Sequence, residues 1–325
     1  RISGILIFIQ YLFTLTIFLH VSQIKVISFI KSTYKKIILF ILLTILFTYI
    51  FYPVFWKNPL LIFDSIDWMS NYFNDVCTLT LGKCMFSKNL DATYIPIWLL
   101  VKLPVIILIG LVLLPFTEKK IFINKESNIA YGTLLLSSFL IPIILILKKV
   151  NLYDELRQIL FIVPLIYILG IVSLYVFSKK VFYFLSVITL SIFLFENVKI
   201  YPYQYVWFNT PARFLDLSKN FELDYWGLSG KDLAIHISKQ KSKVGAKPCV
   251  LTTWSAIHFL DPKTFSCFGT WSLIDSDYAR PFWAIQNVRN LKKERTYKCN
   301  LVYESKFNFL FTKEDIITGR LIKCI

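Results

Sequence analysis

The sequence predicts an α-helical, multi-span membrane domain followed by a small C-terminal α/β domain outside the cytoplasm. Three observations predict it. Of the 325 residues, 56% are hydrophobic and mean hydropathy is +0.60, where a soluble domain holds about 45–50% apolar residues. The apolar residues cluster in runs over the first two thirds of the chain. Beyond Tyr201 the runs give way to short mixed segments. The predicted boundaries are a transmembrane domain over 1–197, with an outer loop over 53–94, and an extracytoplasmic α/β domain over 198–325.

Six apolar runs predict about six spans: Ile5–Leu19, Ile37–Tyr52, Ile95–Phe116, Ile129–Leu147, Ile159–Phe177 and Val181–Phe195. Several are shorter than the roughly 20 residues that cross hydrocarbon. Flanking aromatics and lysines extend such runs by snorkelling. Pro104, Pro142 and Pro164 fall inside them, which a membrane helix tolerates when neighbours satisfy the freed carbonyls.

Loop charge orients the spans. The loops Ser22–Lys36, Thr117–Asn128 and Ser178–Lys180 are dense in lysine, whereas Pro53–Tyr94 and Lys148–Gln158 are sparser. The dense set is placed in the cytoplasm by the positive-inside rule. This also accounts for the net charge of +16 without nucleic acid, since no nucleic-acid motif accompanies the lysines. All six cysteines then lie outside, where an even count suggests disulfides. Cys77 with Cys84 is the nearest local pair; three pairings of Cys249, Cys267, Cys299 and Cys324 stay open. No CxxC spacing points to zinc.

Within the outer loop, Asn58-Pro59 predicts a helix start. Ile62, Ile66, Met69, Phe73 and Val76 recur at helical spacing, predicting a surface amphipathic helix. In the tail, Ser229–Lys243 predicts a helix. Val250–Thr253 and Phe265–Phe268 predict strands, and Asn300–Tyr303 with Phe307–Phe311 a late strand pair.

The candidate site residues lie near the predicted outer surface. Arg157 falls at the predicted start of a helix, where a guanidinium can grip a phosphate with two prongs beside a favourable helix dipole; pairing with Asp154 is the competing reading. Lys102 lies within an apolar span, where a cation is costly and marks a functional candidate, unless it snorkels outward. Asp64 and Asp67 can hold a divalent metal or simply form the wet face of the surface helix. No other metal or cofactor motif is present; His20, His236 and His258 are scattered and read as structural.

Three stretches carry a resemblance. They are Tyr94-Ile-Pro-Ile-Trp-Leu-Leu-Val-Lys-Leu-Pro104, Asn151-Leu-Tyr-Asp-Glu-Leu-Arg-Gln158 continuing to Pro164, and Tyr201-Pro-Tyr-Gln-Tyr-Val-Trp-Phe-Asn209 continuing through Phe221-Glu-Leu-Asp-Tyr-Trp-Gly-Leu-Ser229. Together they resemble the C-terminal half of bacterial membrane glycosyltransferases of the C type (GT-C), relatives of protein O-mannosyltransferases and of the aminoarabinose transferase that modifies lipid A. The resemblance covers roughly 50–235. It implies a sugar donor carried on a polyprenyl phosphate and chemistry on the outer face of a bacterial inner membrane, with the tail in the periplasm. The family's catalytic carboxylate is expected N-terminal to this chain, so no catalytic residue carries over. What carries over is a donor-side surface of Arg157, Lys102, Tyr153 and Tyr94, and a docking motif, Asp224-Tyr225-Trp226. Arg157-Gln158 stands where the family has Arg-His, and Thr210-Pro211-Ala212 where it has a Gly-Gly pair.

The expected function is therefore transfer of a sugar from a polyprenyl-phosphate donor to an outer-face acceptor, with membrane lipids as the other partner. The alternative is a non-catalytic membrane anchor, or a transporter of lipid-linked intermediates, with an extracytoplasmic binding domain.

Overall fold

Proline, not charge, decides where the apolar runs become helices. In the computed structural model, which describes residues 5–65, 75–240, 249–252, 254–260, 267–270, 282–287, 299–312 and 314–324, the first run forms α1 (Ile5–Ser22) and the second forms α2 (Val26–Phe51). Lys31, Lys35 and Lys36 lie inside α2, so the predicted loop Ser22–Lys36 shrinks to Gln23–Lys25. Lysine is a good helix former, and its charge does not end a helix. The 26 residues of α2 span about 39 Å, and none of them is buried. A short α3 (Val54–Lys57) follows. The predicted start at Asn58 is present: its Oδ1 accepts from Leu60 N at 3.1 Å, and residues 61–65 are helical. The rest of the predicted amphipathic helix, 66–74, lies outside the described residues, and Asp67 with it.

Next comes a hairpin that the sequence reading treats only as loop: β1 (Cys77–Thr80) and β2 (Lys83–Phe86). Its two-residue turn, Leu81-Gly82, has φ of +48° and +76°, the left-handed pair that matches strand twist. The predicted Cys77–Cys84 disulfide closes it.

The third predicted span is broken into α4 (Tyr94–Lys102), α5 (Val105–Val112) and α6 (Leu114–Ile121). Pro104 and Pro115 supply the breaks, because each lacks an N–H and crowds the preceding turn. The remaining runs form α7 (Lys125–Leu147), α8 (Val163–Phe177) and α9 (Lys179–Lys199). Asn124 caps α7 with a reciprocal box to Ser127. Among the described residues, α2, α7 and α9 are long and apolar enough to cross a membrane, and the broken pair α4–α5 can count as a fourth. Of the predicted six, three or four are thus of spanning length among the described residues; α8, at 15 residues, is short for a span.

The tail holds α10 (Leu217–Asn220) and α11 (Ser229–Gln240), then β3 (Cys249–Thr252), α12 (Trp254–Ile257), β4 (Cys267–Thr270), β5 (Phe282–Asn287), β6 (Cys299–Phe307) and β7 (Ile316–Cys324). The last five strands form one sheet in the order β4-β3-β5-β7-β6. It is parallel at β4-β3-β5 and antiparallel at β5-β7-β6. Helix α11 packs on it through Leu233, Ala234 and Ile237 against Trp283, Ile285 and Leu321. The predicted late pair shifts: β6 ends at Phe307 and pairs with β7, while Phe309–Phe311 run into a turn.

The chain divides into two compact units. One comprises Arg1–Val76, Phe86–Ile95 and Ile106–Tyr183; the other comprises Cys77–Met85, Pro96–Val105 and Phe184–Ile325. The hairpin joins the tail because Gly82 N donates to Asn220 O at 3.0 Å and Glu222 N to Leu79 O at 2.8 Å. In the first unit, α7 and α8 are joined by Tyr131 and Ser173 hydroxyls at 2.9 Å. There α5 and α8 meet at Gly110 and Gly170, where a Cβ on Gly110 would lie 1.9 Å from the Gly170 carbonyl oxygen.

Candidate functional site

The polar turn between α7 and α8 is the first unit's concentration of buried charge. Three non-glycine residues there adopt left-handed backbone: Lys149 (φ +48°), Asp154 (+56°) and Glu155 (+63°). Such residues are uncommon, and a run of them marks a turn held by its surroundings. Asp154 and Glu155 are both buried. The Arg157 guanidinium donates from Nη1 to Asp154 Oδ2 at 2.7 Å and lies 5.8 Å from the Tyr153 ring centre. Tyr94, itself buried, donates its hydroxyl to Glu155 O at 3.3 Å. Arg157 and Tyr153 thus stand side by side, while the buried Tyr94 reaches the same turn through Glu155 O.

Two features differ from the sequence reading of Arg157. Helix α8 begins at Val163 with Pro164 in its first turn, six residues later than Arg157. Proline suits that position because its missing N–H is one the helix start leaves unpaired. No helix N-terminus therefore stands at Arg157, and the dipole argument lapses. The guanidinium is also already engaged with Asp154, which is the competing reading. The adjacent cleft is lined by Asp91, Tyr94, Leu145, Lys149, Val150 and Leu152, among others. Its cation is Lys149, which the sequence reading treated only as loop charge; Arg157 is not among the lining residues.

Lys102 belongs to the second unit. It is the last residue of α4, where a cation complements the helix's negative end. Its Nζ lies 4.0 Å from the Phe208 ring centre and 5.5 Å from that of Trp98. Trp98, Phe208 and Phe221 are fully buried and mutually packed at 5.3–6.1 Å. Trp98 Nε1 donates to Thr80 Oγ1 at 3.0 Å. Asn209 closes the broken helix beside Lys102. Its Nδ2 donates to Leu100 O at 2.6 Å and Leu103 O at 2.8 Å, its N to Val101 O at 3.0 Å, and its Oδ1 accepts from Ala212 N at 3.1 Å. The first and third resembling stretches therefore meet at one buried cluster. Asn209's role is invisible in sequence because the carbonyls it holds lie more than a hundred residues away.

Asp224, Tyr225 and Trp226 divide their work. Asp224 is buried and accepts from Leu228 N, from Ser229 N and Oγ, and from the Tyr205 hydroxyl. It thereby caps the start of α11. Burial pushes its carboxyl above the usual range, more than the hydrogen bonds pull it down. Burial, followed by the charge of Asp224, raises the Tyr205 phenol further. Trp226 is exposed, with Tyr225 packed between it and Tyr205. A second buried charge pair, Glu196 with Arg213, was not anticipated. Arg213 grips both Glu196 oxygens, and Glu196 also accepts from Trp207 Nε1 at 2.9 Å. Asp64 is exposed, and among the described residues no group of three acidic, His or Cys side chains is placed to hold a metal ion. No family profile, no curated protein and no solved structure matches this chain.

Proposed function

We propose that this chain is the donor-side part of a membrane glycosyltransferase that uses a polyprenyl-phosphate-linked sugar on the outer face of a bacterial inner membrane. The observation that carries the reading is the strained turn Lys149–Gln158 beside a cleft. Lys149 and Tyr94 line the cleft, and Arg157 with Tyr153 stands on the same turn outside it. A polyprenyl phosphate needs an apolar wall for its first prenyl units and a cation at headgroup depth. Leu145, Ile146 and Val150 supply the first, and Lys149 with Arg157 the second. The three resembling stretches support the same donor class. In this reading Asp154 holds Arg157 in place until phosphate competes for it.

The Asp154–Arg157 pair favours a second reading, a non-catalytic anchor or carrier of lipid-linked intermediates, in which the ion pair only braces the turn. A binding measurement tests the donor class. The chain, reconstituted in nanodiscs, should bind a short-chain polyprenyl monophosphate well above the neutral prenol of equal length. Equal affinity for the two would overturn the donor reading.

A further inference from the structure

The strongest unassigned surface surrounds the end of α9. Residues from Phe184 onward belong to the second unit with the rest of the tail. In the last turns of α9, Phe195 and Val198 are exposed at 73% and 81%, while Glu196 is fully buried and holds Arg213. Two turns of chain are tied to this helix end. Lys199 Nζ donates to Phe309 O at 3.2 Å. Arg213 Nη1 donates to Leu310 O at 3.4 Å, and the guanidinium lies 4.4 Å from the Phe309 ring centre. Three exposed aromatic residues stand on or next to these segments: Tyr201, Phe214 and Phe311. Phe311 is also held at φ +65°. A bulky side chain is an outlier there, and asparagine or glycine would make the same turn without strain. An exposed aromatic held in such a strained turn calls for something to receive it.

We infer that Tyr201, Phe214 and Phe311 form an aromatic rim that seats the C-terminal unit in the headgroup–acyl boundary of the bilayer where α9 leaves it. This rests on α9 being a span and goes beyond the glycosyltransferase reading. The occupant is lipid because the rim continues the exposed apolar wall of α9 itself. Tyr201 suits that depth because its ring carries a hydroxyl, and Phe214 and Phe311 are apolar rings of the kind that bury just inside it.

The test uses the full chain in liposomes doped with a phosphatidylcholine that carries a photoactivated diazirine close to the glycerol end of one acyl chain. After illumination and peptide mapping, adducts should appear on 184–198 and also at Tyr201, Phe214 and Phe311. The Phe311→Asn variant should lose its 309–312 adducts, keep those on α9, and melt in detergent no lower than wild type, since asparagine suits the turn. Adducts on α9 with none on the rim would overturn the inference alone. Absence from both would overturn the span and the rim together. Chain-to-chain crosslinks at Phe311 in place of lipid adducts would make a second copy the occupant, and a drop in melting temperature with unchanged adducts would make Phe311 structural; either result overturns the inference.

Discussion

Replacing Asn209 with alanine should open the break between α4 and α5. The side chain makes three hydrogen bonds: two donated to Leu100 O and Leu103 O, and one accepted from Ala212 N. Those carbonyls belong to the end of a helix, which leaves its last four acceptors without partners inside the helix. Leaving a buried polar group unsatisfied costs about 1–3 kcal/mol. With three groups affected and partial relaxation, the loss should be about 3–5 kcal/mol, a large part of the stability of a typical domain. Asn209→Asp should be worse than Asn209→Ala, although it is closer in shape, because it sets a carboxylate oxygen against two carbonyl oxygens. Thermal unfolding of the purified variants in detergent, followed by tryptophan fluorescence, reads both. Trp98 packs in the same cluster and reports it directly. An Asp variant as stable as wild type, or a loss under about 1 kcal/mol for alanine, would refute the account of the helix break.

Gly110→Ala should destabilise the first unit by about 1–3 kcal/mol or more. Its Cβ would meet the Gly170 backbone at 1.9 Å, and backbone cannot rotate aside; an unchanged melting temperature would contradict the packing. Burial raises the Asp224 carboxyl, so the folded chain keeps that proton to a higher pH than the unfolded chain, near 3.9. The stabilisation is present below the unfolded value and is lost as pH rises through the folded one. The stability difference between wild type and Asp224→Asn should therefore fall from about pH 4 upward; a flat difference to neutral pH would refute this. Cys299 is disulfide-bonded, and its register partner is Cys324. Cys249 and Cys267 are register partners too, so non-reducing peptide mapping should return Cys299 joined to Cys324 and Cys249 to Cys267, and any crossed pairing would contradict the strand registers.

Much of the helical part can be read from apolar runs, because length and hydropathy are local properties. The prolines were legible as interruptions but not as breaks. Pro142 stays within α7, whereas Pro104 ends α4, and the difference lies in Asn209 rather than near Pro104. Arg157 was misplaced relative to its helix because the apolar run starts at Ile159, while Pro164 fixes the helix start at Val163. Strand β5 escaped notice because Phe282–Ile285 is buried on every side chain and shows no alternation. The alternating Phe307, Phe309 and Phe311 imitated a strand that ends at the first of them. The contact of Arg157 with Tyr153 was legible because the two are close in sequence. Lys149 and Asn209 were not, since a cleft and a carbonyl plug exist only after folding.

The Asp154–Arg157 pair tests whether the turn around Arg157 binds the phosphate of a lipid carrier, as proposed. Binding of a short polyprenyl monophosphate is measured in nanodiscs for wild type, Arg157→Ala and Asp154→Asn, with the melting temperature of each sample. A charge-assisted contact is worth about 1.5–3 kcal/mol, so Arg157→Ala should bind about tenfold to a hundredfold more weakly. Asp154→Asn releases the guanidinium and should bind as tightly as wild type or more tightly. Equal affinity in all three, with both variants melting lower by the same amount, would reduce the pair to a structural brace and contradict the claim.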